Sequence, residues 1–423
     1  MMLLPPRILR KVFQLGSGEA LSRACGIVTI ILLSHRYGVV VLGVFALAQG
    51  LSQYSQPVID FGLRHVGARL MAVYPQAGRE IVKRVQRRRL LMAGVVLPFI
   101  LIYAVFAKLP VDMKIFLVGF AAISALYAIS LDWAAWGKEH LRLVGLAKAI
   151  VPGSILVCLA LGMGSEHILW WLVLGNAVGY GLQGAIFWAW WNRHPPAETV
   201  RQETMTTISE SLAWQRTSVM GLAWLGNLAF STIDMLMLGL MSNAEQIGLY
   251  SAAYRVLNQV LFTYYLLTQV LYPEFARHNV QERLRALRAR ILVPLFGTGL
   301  AIAMLLILAR RIVLSVVFGH QFLTAAPLLV LLAWAIPLDF VTAYLSNAYI
   351  AWGMERKILL CTAVAAGSNI VLNLIWIPTY GATAAAANTV LSYIVFLASL
   401  VLAGRSDKAL SDGLRPQAEL AAR

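Results

Sequence analysis

Residues 227–262, NLAFSTIDMLMLGLMSNAEQIGLYSAAYRVLNQVLF, set two long apolar segments around a short polar turn, and each segment carries one ionisable residue near its middle. Asp234 lies ten positions before Ala244, at the turn, and Arg255 eleven after it. At about 1.5 Å per helical residue, both sit roughly 15 Å from the same membrane face, near the midplane. A charge there costs about 2.5–3.5 kcal/mol, so it faces a neighbour, a bundle interior or water. Opposite charges at one depth can pair, and Asp234 is expected to meet Arg255. Ser251, Tyr254, Arg255, Asn258 and Gln259 recur at i, i+3, i+4 and i+7, a polar stripe on an otherwise apolar helix. The stretch predicts a membrane bundle with a hydrated, partly cationic interior.

The rest of the chain agrees. Of 423 residues, 60% are hydrophobic and only 13% charged, and the mean hydropathy of +0.73 lies far from soluble composition. The net charge of +16 does not read as a nucleic-acid footprint, because the basic residues fall in short gaps between apolar runs. Cys25, Cys158 and Cys361 lie inside apolar runs without metal-ligand spacing and read as small core residues. The opening MMLLPPRILRK shows no cleavable signal.

Apolar segments near 15–34, 39–60, 90–108, 114–133, 144–163, 168–191, 218–241, 248–272, 291–309, 324–350, 358–377 and 382–403 make about twelve candidate spanning helices. With the N-terminus in the cytoplasm, 28 of the 35 Lys and Arg fall in inside segments, five in outside loops, and Arg23 and Arg255 inside helices. That asymmetry places both termini in the cytoplasm. The heaviest inside loop, GLRHVGARLMAVYPQAGREIVKRVQRRRL, and its counterpart EFARHNVQERLRALRARI read as amphipathic basic helices whose charges hold topology and touch anionic head groups. The Trp and Tyr residues, including Trp170, Trp171, Trp188, Trp190 and Trp191, read as an interfacial belt.

An internal repeat organises these helices. YGVVVLGVFALAQGLSQYSQPVIDFGLRHVGAR aligns with IGLYSAAYRVLNQVLFTYYLLTQVLYPEFAR, and AAWGKEHLRLVGLAKAIVPGSILVCL with IAWGMERKILLCTAVAAGSNIVLNL. The offsets of 205, 216 and 214 residues describe a duplicated six-helix unit. The expected division is a first lobe over 1–200, a second over 201–405 and a cytoplasmic tail over 406–423. Both copies start and end inside, so the repeats are parallel, an arrangement that commonly encloses a central site.

Candidate binding residues follow the polar stripes. Arg23 lies at a depth close to that of Gln49, and Glu19 four residues earlier can neutralise it; a structural pair and a cavity-lining cation both fit. Arg255 with Asp234 carries the same two readings. Gln49 and Gln53, with Ser52, Gln56 and Asp60, form the stripe on the second helix as Tyr254, Asn258 and Gln259 do on the eighth. Arg64 stands as a third cation at the inner mouth. Asp60 and Asp132, at inner helix ends, read as solvated carboxylates. The polar stripes of Asp339, Thr342, Ser346 and Asn347, and of Asn369 and Asn373, read as interhelical hydrogen bonds. No HExxH, Walker loop, GxSxG or metal set occurs, so the expectation is a transporter with no cofactor, not an enzyme.

The sequence resembles the polysaccharide-type flippases of the multidrug/oligosaccharidyl-lipid/polysaccharide (MOP) exporter superfamily, the Wzx-like O-antigen and exopolysaccharide translocases. The resemblance runs over nearly the whole chain. It is carried by YGVVVLGVFALAQGLSQYSQPVIDFGLRHVGAR, DMLMLGLMSNAEQIGLYSAAYRV, FGHQFLTAAPLLVLLAWAIP and, most specifically, SNIVLNLIWIPTYGATAAAANTVLSY. It implies an all-α integral membrane protein of the bacterial cytoplasmic (inner) membrane, with two six-helix lobes around a central cationic cavity. There the head group of an undecaprenyl-diphosphate-linked oligosaccharide would cross by alternating access, coupled to an H+ or Na+ gradient or to the membrane potential. Polysaccharide polymerase and chain-length machinery are the implied protein partners. Arg23, Arg255 and Arg64 would attract the diphosphate, and the Gln, Tyr and Asn positions would solvate the sugars. A cation-coupled multidrug exporter of the same superfamily is the alternative; a membrane polymerase or ligase fits less well, because the outside loops are short.

Overall fold

The computed structural model describes the backbone of residues 6–194, 208, 210, 212, 214–277 and 289–405. The tail 406–423 and most of the second amphipathic basic segment lie outside the described residues. The described chain forms two compact units, Met1–Leu225 and Gly226–Arg423.

In the first unit, α1 (Pro6–Asp60) is a double span broken at Gly38, whose φ of 82° and ψ of −168° belong to glycine and interrupt the helical ladder. This is where the sequence places the turn between its first two spans. After Asp60, Phe61 and Gly62 both take positive φ and redirect the chain into α2 (Leu63–Val73). Then come α3 (Gly78–Phe106), α4 (Val111–Ser124), the short α5 (Asp132–Gly137), α6 (Leu141–Ala147), α7 (Ile150–Leu161) and α8 (Ile168–Arg193). Helices α7 and α8 pack along most of their length. Gly175 and Gly179, one turn apart on α8, permit this. A Cβ on Gly175 would lie 2.7 Å from the Ile155 backbone, and one on Gly179 2.7 Å from that of Val151. Small residues at this spacing are the common means of close helix approach in lipid, where no hydrophobic drive holds helices together.

The second unit contains α9 (Trp214–Met241), which begins in the first, then α10 (Ala244–Arg277), α11 (Ala289–Val317), α12 (Ala326–Ala333), α13 (Ala335–Ala351), α14 (Glu355–Tyr380) and α15 (Ala382–Arg405). Helices α14 and α15 pair closely, and α13 packs against α10, α11 and α15. Asn347 donates to Thr268 at 3.2 Å, an interhelical bond of the kind expected for the α13 stripe.

Among the described residues, eight helices are long and apolar enough to cross a membrane, or up to nine if His320–Ala333 and Ala335–Ala351, bent by 41°, form one span. Their outward faces are apolar. On α3, Leu91, Val95, Phe99, Ile102 and Phe106 are all more than half exposed, as are Leu305, Leu308 and Ile312 on α11. A soluble protein would not leave such a surface uncovered, and a bilayer covers it. The aromatic belt needs one correction. Trp170 and Trp188 are exposed, but Trp190 and Trp191 are buried with Trp133, Phe187, Met71 and Ile81 in the core of the first unit. Lys138, 4.9 Å from the Trp191 ring, caps that cluster. Beside it, outside the spans, burial holds His140 below its ordinary value, with neighbouring His194 and Lys138 adding to the effect.

Candidate functional site

The first unit carries a buried four-charge cluster at the C-terminal end of α1. Arg89, on α3, is fully buried, and its Nε lies 3.0 Å from Oδ1 of Asp60, the last residue of α1. Its Nη1 donates to the Ser130 carbonyl at 2.7 Å and its Nη2 to the Tyr127 carbonyl at 3.1 Å. The guanidinium also lies 4.6 Å over the Tyr127 ring, whose hydroxyl donates to Asp60 Oδ2 at 2.9 Å. Beside it, Arg64 on α2 pairs with Asp132, the first residue of α5, at 3.1 Å, and faces the Trp136 ring at 5.7 Å. Two cations and two carboxylates sum to zero, the condition under which buried charges are tolerable. The cluster joins α1, α2, α3 and α5 where Phe61 and Gly62 bend the chain. Asp60 and Asp132 are therefore ion-pair partners and not solvated carboxylates, and Arg64 and Arg89 are not free head-group contacts.

Towards the middle of α1 the polar stripe connects inward. Asn176 on α8 donates to Ser124 Oγ at 3.1 Å, which lies 3.0 Å from Ser52 Oγ, and Gln56 donates to the Tyr180 hydroxyl at 2.9 Å. Gln49 is half-buried and Gln53 exposed. Arg23 pairs with Glu19 at 3.1 Å, and Lys148 reaches the other oxygen of that carboxylate at 3.1 Å.

In the second unit the two ionisable residues have separate surroundings. Asp234 is buried, and its carboxylate is filled by neutral donors. Tyr250 and Thr389 donate to Oδ2 at 2.8 and 2.9 Å, and Asn373 donates to Oδ1. Asn373 continues to Asn369 and receives Asn388, both at 2.8 Å. Asp234, Tyr250, Thr389, Asn369, Asn373 and Asn388 thus form one buried polar network across α9, α10, α14 and α15. Arg255 is not among the partners of Asp234, so the expected charge pair does not form. Along the polar face of α10, Tyr254 and Arg255 are half-buried, Asn258 and Gln259 exposed, and Tyr254 stacks on Tyr250 at 5.5 Å.

The site residues named from sequence therefore fall into three groups. Arg64 belongs to a closed ion cluster, Asp234 to a network of neutral donors, and Arg255, Tyr254, Asn258, Gln259, Gln49 and Gln53 to polar stripes that are half-buried or exposed. Arg23 sits half-exposed in its pair with Glu19. Sequence reading missed Arg89, which the run Arg87-Arg88-Arg89 conceals. The signal for it is helical phase: position 89 continues the buried stripe of Ile81, Val82 and Val85.

A family described as "Polysaccharide biosynthesis protein" matches residues 8–279, more than half of the chain. Among curated proteins, the "Probable low-salt glycan biosynthesis flippase Agl15" of Haloferax volcanii is 21% identical over 383 residues, covering 86% of this chain and 77% of that protein. Among solved structures, the lipid II flippase MurJ in an inward closed conformation aligns over 95% of this chain and 90% of its own. The TM-score is 0.57 and the identity 15%. An inward-facing multidrug resistance MATE transporter of the MOP superfamily aligns over 95% of both chains, with a TM-score of 0.59 and 13% identity. The chain therefore belongs to the family described as "Polysaccharide biosynthesis protein", with a fold like that of the MurJ and MATE transporters.

Proposed function

We propose that the protein is a flippase that moves undecaprenyl-diphosphate-linked oligosaccharide repeat units across the bacterial cytoplasmic membrane for O-antigen or exopolysaccharide assembly. Twelve spans in two six-helix lobes, with both termini in the cytoplasm, would rock about a central cavity. Its energy would come from an H+ or Na+ gradient or the membrane potential, and its products would pass to a polymerase and chain-length machinery. The observation that carries this reading is the polar face of α10, where a guanidinium and two amides share one stripe on an otherwise apolar helix. Arg255 is half-buried and Asn258 and Gln259 are exposed, while Asp234, on the preceding helix, is closed off by Tyr250, Thr389 and Asn373. A guanidinium flanked by amides suits a diphosphate followed by sugar hydroxyls. An organic cation would call for the reverse, an accessible carboxylate. Arg23 and the glutamines of α1 would be the substrate-binding residues of the first lobe.

Deletion of the gene tests the reading in cells. Lipid-linked repeat units are expected to accumulate on the cytoplasmic leaflet while their synthesis continues. Delivery to the outer leaflet at the normal rate, in a strain without a second flippase, contradicts it.

A further inference from the structure

Helix α3 has two faces with different fates. Ile81, Val82, Val85, Gln86 and Arg89 are buried in the first unit. Glu80, Lys83, Arg84, Arg87, Arg88 and Leu91, at i, i+3, i+4 and i+7, line an open cavity of about 550 Å³. Leu212 and Trp214 close its other side. This wall holds Arg88 in place: its guanidinium donates to the Leu212 carbonyl and lies 5.6 Å over the Trp214 ring. Among the described residues the only carboxylate lining the cavity, Glu80, is paired with Arg84 at 2.6 Å. Lys83, Arg87 and Arg88 therefore bring positive charge to one cavity with no acidic partner among the described residues. The charge stops abruptly at Leu90. From Leu91 to Phe106 the helix is apolar, with Leu91, Val95, Phe99, Ile102, Val105 and Phe106 more than half exposed. That length is roughly 22 Å, about that of a lipid tail within one leaflet and its neighbour's end.

We infer that this cavity binds the phosphate group of a membrane lipid, whose tails lie along the exposed apolar face of α3. Arginine forks and a lysine around one cavity match phosphate oxygens, Trp214 beside them is a residue type favoured at head-group level, and the change from basic to apolar fixes the level at which a lipid phosphate sits. Two lipids carry this chemistry: an anionic phospholipid, with one phosphodiester, and a polyprenyl diphosphate. The inference rests on residues of the first unit alone and stands whether or not the protein transports what it binds.

The test uses the full chain in phosphatidylcholine nanodiscs containing a small fraction of photoactivatable phosphatidylglycerol or, separately, photoactivatable polyprenyl diphosphate. At least one lipid should cross-link to residues 83–91 and 212–214. The triple variant Lys83→Gln, Arg87→Gln, Arg88→Gln should weaken binding on the order of a hundredfold, since each cation near the surface contributes about a fivefold factor. The charge-retaining set Lys83→Arg, Arg87→Lys, Arg88→Lys should keep most of it. Arg69→Gln, Arg142→Gln, Arg356→Gln, with the same loss of charge elsewhere, should bind as the native protein does. Cross-linking by both lipids assigns the cavity to anionic lipids in general; cross-linking by the diphosphate alone assigns it to the carrier lipid. If neither lipid cross-links there, or the control triple loses as much binding as the cavity triple, the site does not exist.

Discussion

Replacing Arg255 with alanine is expected to lower glycan export on the order of a hundredfold while leaving the protein in the membrane at normal abundance. The magnitude is that of a charge-assisted hydrogen bond to phosphate, about 1.5–3 kcal/mol, lost together with the long-range attraction of the only cation in its stripe. Arg255→Lys keeps the charge and loses the planar fork, so export should recover in part. Asp234→Asn acts elsewhere. It turns an amide nitrogen towards a shell of donors, Tyr250, Thr389 and Asn373, and should cost about 1–3 kcal/mol of stability, read as reduced abundance more than reduced turnover. Because Asp234 spends its hydrogen bonds on neutral partners, the double variant should show additive effects and no rescue. Export and abundance measured for both singles and the double check this. Recovery of export in a doubly neutral variant would restore the direct pair that the structure denies.

The second large effect belongs to stability. Arg89→Ala leaves Asp60 buried beside Tyr127 without its cation, and breaking a buried pair from one side typically costs about 3–5 kcal/mol. The thermal midpoint of the purified chain should fall sharply and its abundance with it. Removing both charges, as Asp60→Asn with Arg89→Met, should recover much of the loss, because the polar hydroxyl of Tyr127 can still donate to the new amide oxygen. Arg64→Ala should cost less, since Arg64 is about one-third exposed and its charge is partly solvated. Equal losses for Arg64→Ala and Arg89→Ala in thermal unfolding would show that burial does not set the order.

How much of this was legible in the sequence depends on range. The break at Gly38 is a local property of the chain, and the structure shows it where the sequence puts it; of the twelve expected apolar runs, those at 218–241 and 248–272 are not among the helices long and apolar enough to cross a membrane in the described residues. Asp234 is recognisable as a residue that must be sheltered, because its cost of burial is intrinsic. Its partners are not: Asn373 and Thr389 lie 139 and 155 residues away, and nearby Arg255, at matching depth, is the simpler choice on paper. Depth along a helix fixes only one coordinate, while pairing also needs the rotation of each helix about its axis. The same missing rotation conceals Arg89. Three consecutive arginines point about 100° apart, so one enters the core and two line a surface, and only the phase set by Ile81 and Val85 separates them. Trp190 and Trp191 were assigned to the belt by residue type, yet their side of α8 faces the core.

The central claim is that this chain alone moves a diphosphate-linked glycan between leaflets through a path that uses Arg255. The most direct measurement reconstitutes the purified protein in vesicles carrying a fluorescent undecaprenyl-diphosphate oligosaccharide, under an imposed ion gradient, and follows the loss of label accessible to an external quencher or glycosidase. The native protein should expose the inner-leaflet pool at a rate well above that of protein-free vesicles, and Arg255→Ala should bring the rate down close to that background. Native protein that leaves the inner pool untouched under proton, sodium and potential gradients alike, or an Arg255→Ala variant that flips at the native rate, contradicts the account.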